Sequence, residues 1–197
     1  MAKRKRIEGR RRLEVLDKAA TVLLECGYDR LTYDEVATRA RASKATLYRH
    51  WPTKATLTVD ALLQVRAHTD DPVPDTGTLR GDLIAHAARH QDQPATFSLL
   101  ASLVSALSRD HDLARQFRGR VLPLAESELR LIFSRAQLRR EIPEQVDVSL
   151  ATSILPALFL HRQLLDGSRL DRQTIIEVID RLVLPAAYLP GHDPSRA

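Results

Sequence analysis

The stretch Ser43-Lys44-Ala45-Thr46-Leu47-Tyr48-Arg49-His50-Trp51-Pro52-Thr53-Lys54 decides the fold of this chain. Ser43 is a good N-cap, because its hydroxyl can accept from an otherwise orphan amide of the first turn. A short helix is therefore predicted from Lys44 to about Trp51. Pro52 stops it, having no amide to donate and disfavouring helix in the residue before it. Thr53 then caps another helix that begins at Lys54. Within the short helix, Leu47 and Trp51 are four residues apart and share the face assigned to a small core. Ala45 and Arg49 occupy the opposite side, with Thr46 and Tyr48 flanking.

Upstream, Leu13, Leu16, Ala20, Leu23 and Leu24 recur at helical spacing from Arg12, and Gly27 supplies a left-handed residue to end that helix. Thr32-Tyr33-Asp34-Glu35 reads as a capping box, so a second helix starts near Tyr33 and runs to about Ala40. Two short helices joined by a tight turn, with a longer supporting helix before them, are the arrangement of a helix-turn-helix DNA reader. Lys44 lies at the start of the third helix, where side chains meet base edges, and a lysine can donate to guanine O6 and N7. Thr46, Tyr48 and His50 suit phosphate oxygens or a thymine methyl. Lys54 adds a cation beside a helix N-terminus, which suits phosphate.

Charge agrees with that reading. Residues 1–54 hold 14 Lys and Arg against 7 Asp and Glu, whereas residues 55–197 hold 16 against 18. Lys3, Arg4, Lys5, Arg6, Arg10, Arg11 and Arg12 crowd the start, opposed only by Glu8. A basic arm over 1–11 is expected to neutralise phosphates and release counterions without reading sequence.

Residues 12–63 resemble the DNA-binding domain of the tetracycline-repressor (TetR) family of bacterial transcriptional regulators. The resemblance rests on Cys26-Gly27-Tyr28, on Leu31-Thr32-Tyr33-Asp34-Glu35-Val36-Ala37, and above all on the string from Ser43 to Lys54. It implies that Lys44, Ala45 and Tyr48 approach bases, and that Thr32, Thr46, His50 and Lys54 hold phosphates. Two departures stand out. Arg41 replaces the glycine often found after the second helix, at a place where positive φ would be uncomfortable. Trp51 replaces the usual phenylalanine, a larger residue in the small core.

The fold class expected is all-α: sparse aromatics at 5%, only 7 glycines, and an abundance of Leu, Ala and Arg. With 44% hydrophobic residues over 197, the chain can bury a real core. The organisation expected is a basic arm (1–11), a DNA-binding domain that includes the fourth, connecting helix (12–69), and a C-terminal helical domain (70–197). The acidic, proline-rich segment Asp70 to Thr78 separates the last two. Helices are predicted at about 79–90, 94–108, 112–140, 147–166 and 171–188. Pro94 suits a first turn, Gly167 a stop, Pro123 should kink or divide the third of these, and Pro156 should bend the fourth.

The C-terminal helices need a task of their own. One recognition helix covers few base pairs, and two-fold pairing would let the protein read two half-sites of a double-stranded operator. Ile154, Leu155, Leu158, Phe159 and Leu165 form one broad apolar face; Ile175, Ile176, Val178, Ile179, Leu182 and Val183 form another. They can build a homodimer interface or bury inside one subunit, and the family resemblance favours the homodimer. The resemblance also implies a small-molecule effector bound in the C-terminal domain, with Phe97, Leu100, Val104, Leu107, Phe117, Phe133, Phe159 and His161 as candidate lining residues. Asp112 to Phe117 and Ser134 to Ile142 resemble stretches common in C-terminal domains of the family.

Other functions find little support. No G-x-S-x-G, Walker sequence, dinucleotide fingerprint or H-E-x-x-H occurs. His86 and His90 share a helix face with Asp82 one turn earlier, but no further carboxylate or cysteine completes a metal set. No cofactor, no metal and no enzyme activity are expected. Cys26, the sole cysteine, excludes an internal disulfide and fits a reducing cytoplasm. No apolar run is long enough for a signal peptide or a membrane span. The expected function is a ligand-responsive repressor at an inverted-repeat operator. The alternatives are a dimeric DNA-binding protein without an effector, and a helical enzyme with a DNA-binding appendage.

Overall fold

A computed structural model describes residues 9–67, 72–91, 94–146, 148–162 and 171–188. All regular structure among them is helical, as the composition implied. In chain order the helices are α1 (Arg10–Arg30), α2 (Tyr33–Arg39), α3 (Lys44–His50), α4 (Lys54–Arg66), α5 (Leu79–Gln91), α6 (Pro94–Leu107), α7 (His111–Arg120), α8 (Leu122–Leu138), α9 (Val148–His161), α10 (Arg172–Val178) and α11 (Leu184–Tyr188). The basic residues Lys3 to Arg6, together with Leu165 and Gly167, lie outside the described residues, as do the side chains of His90, Phe97 and Phe159.

The chain forms two compact units that do not follow its order: residues 1–70 with 94–123, and residues 71–93 with 124–197. In the first, α1 packs on α4 and α6, and α4 packs on α7. Val15, Leu16, Ala19, Val22 and Leu23 give α1 its buried stripe, which meets Leu57, Val59, Ala61 and Leu62 of α4, Leu99 and Leu103 of α6 and Leu113 of α7. Helices α6 and α7 thus share a core with the helix-turn-helix.

Caps and breaks fall where local chemistry puts them. Gly27 is non-helical (φ 75°, ψ 175°) and separates the long α1 from one further turn ending at Arg30. Helix α1 starts at Arg10, so the last two residues of the expected arm are helical. The α7–α8 division falls at Val121, two residues before Pro123, which a proline's missing donor explains. Helix α9 runs on through Pro156.

The second unit has its own core of Leu79, Leu83, Leu129, Ile132, Phe133, Leu155, Ile175, Ile179 and Val183. Asp82, fully buried, accepts from Thr76 N and Oγ1 at 2.5 and 2.8 Å and pairs with Arg139 at 3.0 Å. The helix expected over 171–188 is not continuous. Ile179–Val183 forms a π-helical turn, with Leu184 N donating to Ile179 O. Pro185 follows, and its ring crowds the carbonyl four residues back, which a widened turn relieves.

Candidate nucleic-acid interface

Thr32 and Ser43 set the start of α2 and α3. Thr32 Oγ1 accepts from Glu35 N at 3.2 Å, and Ser43 Oγ from Thr46 N at 3.2 Å. The capping box expected at α2 is only half made, because the Glu35 carboxylate accepts from Arg39 Nε at 2.6 Å instead. The reciprocal form appears at α4, where Thr53 and Thr56 exchange side-chain and backbone hydrogen bonds. Both α2 and α3 span seven residues, and the turn between them is closed by Ala42 N to Ala37 O at 2.9 Å and Arg41 N to Thr38 O at 3.1 Å. That pattern requires a left-handed residue at position 41. Arg41 adopts it, with φ 49°.

Helix α3 has two faces. Leu47 and Trp51 are buried at 0% and 1% exposure, as their spacing predicted. Lys44, Ala45, Tyr48 and Arg49 are exposed, while Thr46 and His50 are half-buried. Several of these side chains have protein contacts of their own. Lys44 Nζ pairs with Asp34 of α2, both largely solvent-accessible. The Tyr48 ring stacks on Tyr33, and Thr46 Oγ1 shares a 2.6 Å hydrogen bond with Ser43 Oγ. Thr32 is exposed beside its cap.

Lys54 is more deeply engaged than a surface phosphate clamp. Its ammonium lies 4.4 Å from the Tyr28 ring centroid and donates to Asp29 O at 3.0 Å. Burial lowers its pKa, opposed by the carboxylates of Asp29 and Asp110. Tyr28 in turn donates to Asp110 Oδ2 at 2.5 Å, which holds that carboxyl below its ordinary range, helped by the Leu113 amide that it caps.

Arginines at the start of α1 act structurally as well as by charge. Arg11 Nη2 donates to Ala40 O and, at 2.9 Å, to Arg41 O, so it closes the carbonyl end of α2. Arg12 reaches Asp60 of α4. Asp60 is the residue sequence reasoning missed. Its signal was legible: one carboxylate within the apolar run Leu57-Thr58-Val59-Asp60-Ala61-Leu62.

The candidate effector residues do not gather in one core. Leu100, Leu107 and Phe117 are partly buried against the core of the first unit, and Val104 is half-buried. Phe133 is fully buried in the second core, and His161 is exposed. Cys26 is half-buried, its thiol donating to Val22 O at 3.0 Å. His86, 5% exposed, has Nδ1 3.4 Å from Glu128 Oε2. Asp82 is held by Thr76 and Arg139, and no metal-binding cluster occurs among the described residues.

An all-helical chain whose short third helix buries one face and offers a basic, aromatic one defines a helix-turn-helix DNA-binding protein. Residues 15–61 match the family described as bacterial regulatory proteins, tetR family, and residues 73–182 match the tetracyclin repressor-like C-terminal domain. The chain belongs to the TetR family and is a DNA-binding transcriptional regulator. It is 37% identical over 172 residues to a "DNA-binding transcriptional repressor TetR" of Mycobacteroides abscessus, covering 86% of this chain and 90% of that one. It is 29% identical to the regulator YdeS of Bacillus subtilis, covering 84% of each. Among solved structures, the TetR family regulator SCO0332 superposes with a TM-score of 0.70 at 28% identity, covering 89% of this chain and 97% of that one. No helix among the described residues is long and apolar enough to cross a membrane.

Proposed function

We propose that the protein is a repressor that binds an inverted-repeat operator as a homodimer and releases it when a small, largely apolar molecule binds the part of the chain beyond residue 70. The observation that carries the DNA side is the division of α3, with Leu47 and Trp51 buried and Lys44, Ala45, Tyr48 and Arg49 exposed. In this reading Lys44, Ala45 and Tyr48 approach bases, with Arg49 beside them. Thr32, Thr46, His50 and Lys54 hold phosphates. The Thr32 hydroxyl accepts in its capping bond and keeps its O–H to donate to phosphate, the Thr46 O–H is available when Ser43 donates in their shared bond, and the Lys54 ammonium keeps donors beyond its contact with Asp29.

Pairing through α9 and α10–α11 supplies the second half-site, about one helical turn of DNA away or a multiple of it. Effector release is a population shift, and requires the ligand to bind the DNA-incompetent spacing more tightly than the competent one. The name of one relative, the A-factor receptor protein of Streptomyces griseus at 26% identity, supports a receptor role. Leu100, Val104, Leu107, Phe117, Phe133 and His161 remain candidate contacts.

The test is recovery of bound genomic DNA, then competition of the recovered site against random duplex over a range of salt. A two-fold symmetric footprint, a steep salt slope and release by one class of apolar compound are expected. Equal affinity for recovered and random DNA would overturn the operator reading, and the absence of any releasing compound would leave a regulator without an effector.

A further inference from the structure

Asp60 sits in the interior of α4, 9% exposed, between the buried Val59 and Ala61. Its carboxylate collects donors from three other parts of the chain. Trp51 Nε1 donates to Oδ2 at 2.9 Å. Arg12 Nη2, from the start of α1, donates to the same oxygen. Arg120 Nη2, from the last residue of α7, donates to Oδ1 at 2.5 Å. The Arg12 guanidinium carbon also lies 5.7 Å from the centroid of the Trp51 ring.

Trp51 is the residue through which this cluster reaches α3. Its backbone N donates to Leu47 O at 2.8 Å, closing the helix, and its carbonyl accepts from the Tyr33 hydroxyl at 2.6 Å. The indole N–H is therefore the third fixed point of one residue, after its ties to α3 and α2. Tyr48 and Arg49 lie within one turn of it.

We propose that Asp60 is a positioning residue for DNA recognition: by holding the Trp51 indole between Arg12 and Arg120, it fixes the angle at which α3 is presented. The inference rests on the DNA-binding reading of α3 given above. A largely buried carboxylate shared by two guanidiniums and an indole cannot lose one partner without leaving charge or a polar group unpaired, so the four side chains move as a unit. Side chains that read bases need placement to within about 0.5 Å, which a hydrogen-bonded anchor supplies better than apolar contact alone.

The test uses the full chain and two variants. Asp60→Asn retains a carbonyl acceptor for the indole but carries no charge to set against the two arginines. Long-range electrostatics alone would raise its DNA affinity, since a negative charge is lost. We expect instead about a tenfold loss of affinity for the recovered operator, with random-DNA affinity unchanged or slightly higher. Arg120→Gln, on α7, should lose about threefold in the same sense.

Two readouts need no DNA. Emission from Trp51, the sole tryptophan, should shift in both variants, and amides of residues 44–51 should exchange faster. An unchanged operator-to-random ratio, or unchanged exchange over α3 despite a lower melting temperature, would show a merely structural role and overturn the proposal. If Asp60→Asn does not fold, Arg120→Gln decides by the same measures. A wild-type protein that prefers no DNA would sink the operator reading, whereas the exchange measurement would still decide whether Asp60 fixes α3.

Discussion

The ring of Tyr48 on α3 lies flat against that of Tyr33 on α2, centroids 4.1 Å apart and planes 19° from parallel. Tyr33 also donates its hydroxyl to Trp51 O at 2.6 Å. The first residue of α2 therefore braces both the exposed aromatic of the recognition helix and the point where that helix ends. Tyr33→Phe keeps the stack and loses the hydrogen bond, for an expected cost of about 1 kcal/mol in urea denaturation. Tyr48→Ala should cost little stability, since its ring is half exposed, but should weaken operator binding. The assignment of Tyr48 to DNA fails if that variant binds as the wild type does.

The same pair gives a pH dependence with a definite sign. Burial, and secondarily Tyr48, raise the Tyr33 pKa from 10.0 to about 12. A folded-state pKa above the unfolded one means that the native protein holds the proton more tightly. Its contribution to stability is whole below pH 10 and declines as pH rises from 10 towards 12. Tyr28 is shifted in the same direction, chiefly by burial and by Asp110. Ultraviolet titration should show late-ionising phenols, with one fewer in Tyr33→Phe. Four tyrosines ionising together near their ordinary value would contradict this.

Lys44 and Asp34 form an exposed ion pair across the helix-turn-helix. Exposed pairs are worth at most about 1 kcal/mol, so breaking this one should hardly change the melting temperature. Its effect belongs to DNA binding. Asp34→Asn frees the lysine and removes a negative charge from the candidate DNA face, and should raise affinity several-fold at low salt. Lys44→Ala should lower preference for the operator more than affinity for random duplex. Equal loss on both DNAs would mean that Lys44 touches phosphate and not bases.

The recognition helix was legible because its caps and stop are local. Ser43, Thr53 and Pro52 act within three or four residues, and the Leu47–Trp51 spacing marks the buried face without knowledge of what covers it. Distant pairings left weaker traces. Nothing near Arg12 says that its partner stands at position 60, nor does Arg120 announce the same partner. The half-made capping box at α2 shows the limit of a local rule: Glu35 has the right spacing, but Arg39 one turn on and Glu25 from α1 draw the two side chains into another network. The packing of α6 and α7 with α1 and α4 is likewise a matter of which apolar faces meet, and periodicity reports a face without its partner. The π-helical turn had a signal in Pro185, four residues after the carbonyl that it crowds.

Arg41 holds a left-handed conformation, at φ 49°, that the closing hydrogen bonds of α2 demand. An L-residue with a Cβ pays about 1 kcal/mol there, whereas glycine does not. Arg41→Gly should therefore stabilise the protein by about 0.5 kcal/mol after the greater entropy of glycine in the unfolded chain is counted. The Arg41 side chain is exposed next to α3 in sequence, so the same change should reduce DNA affinity and shorten the salt slope by about one unit. A more stable protein with weaker, less salt-sensitive binding is the expected combination. A loss of stability would show that the arginine side chain holds the turn more firmly than its backbone strains it.

Leu182 separates the two uses of the last helices. Ile175, Val178, Ile179 and Val183 of the expected apolar face are buried within one subunit, whereas Leu182 in the π-helical turn is 50% exposed and Tyr188 is 52% exposed. Burial of the exposed half of a leucine contributes about 1 kcal/mol, and a two-fold interface buries two copies. Leu182→Glu should therefore weaken the proposed dimer by at least about thirtyfold while leaving the fold intact. Ile179→Ala, by contrast, should lower the melting temperature of the subunit through a cavity in its core. Sedimentation velocity over a range of concentration, with thermal denaturation alongside, distinguishes the two. A Leu182→Glu protein that stays dimeric at low concentration would move the interface off this turn, and operator binding by that variant should then remain as tight as in the wild type.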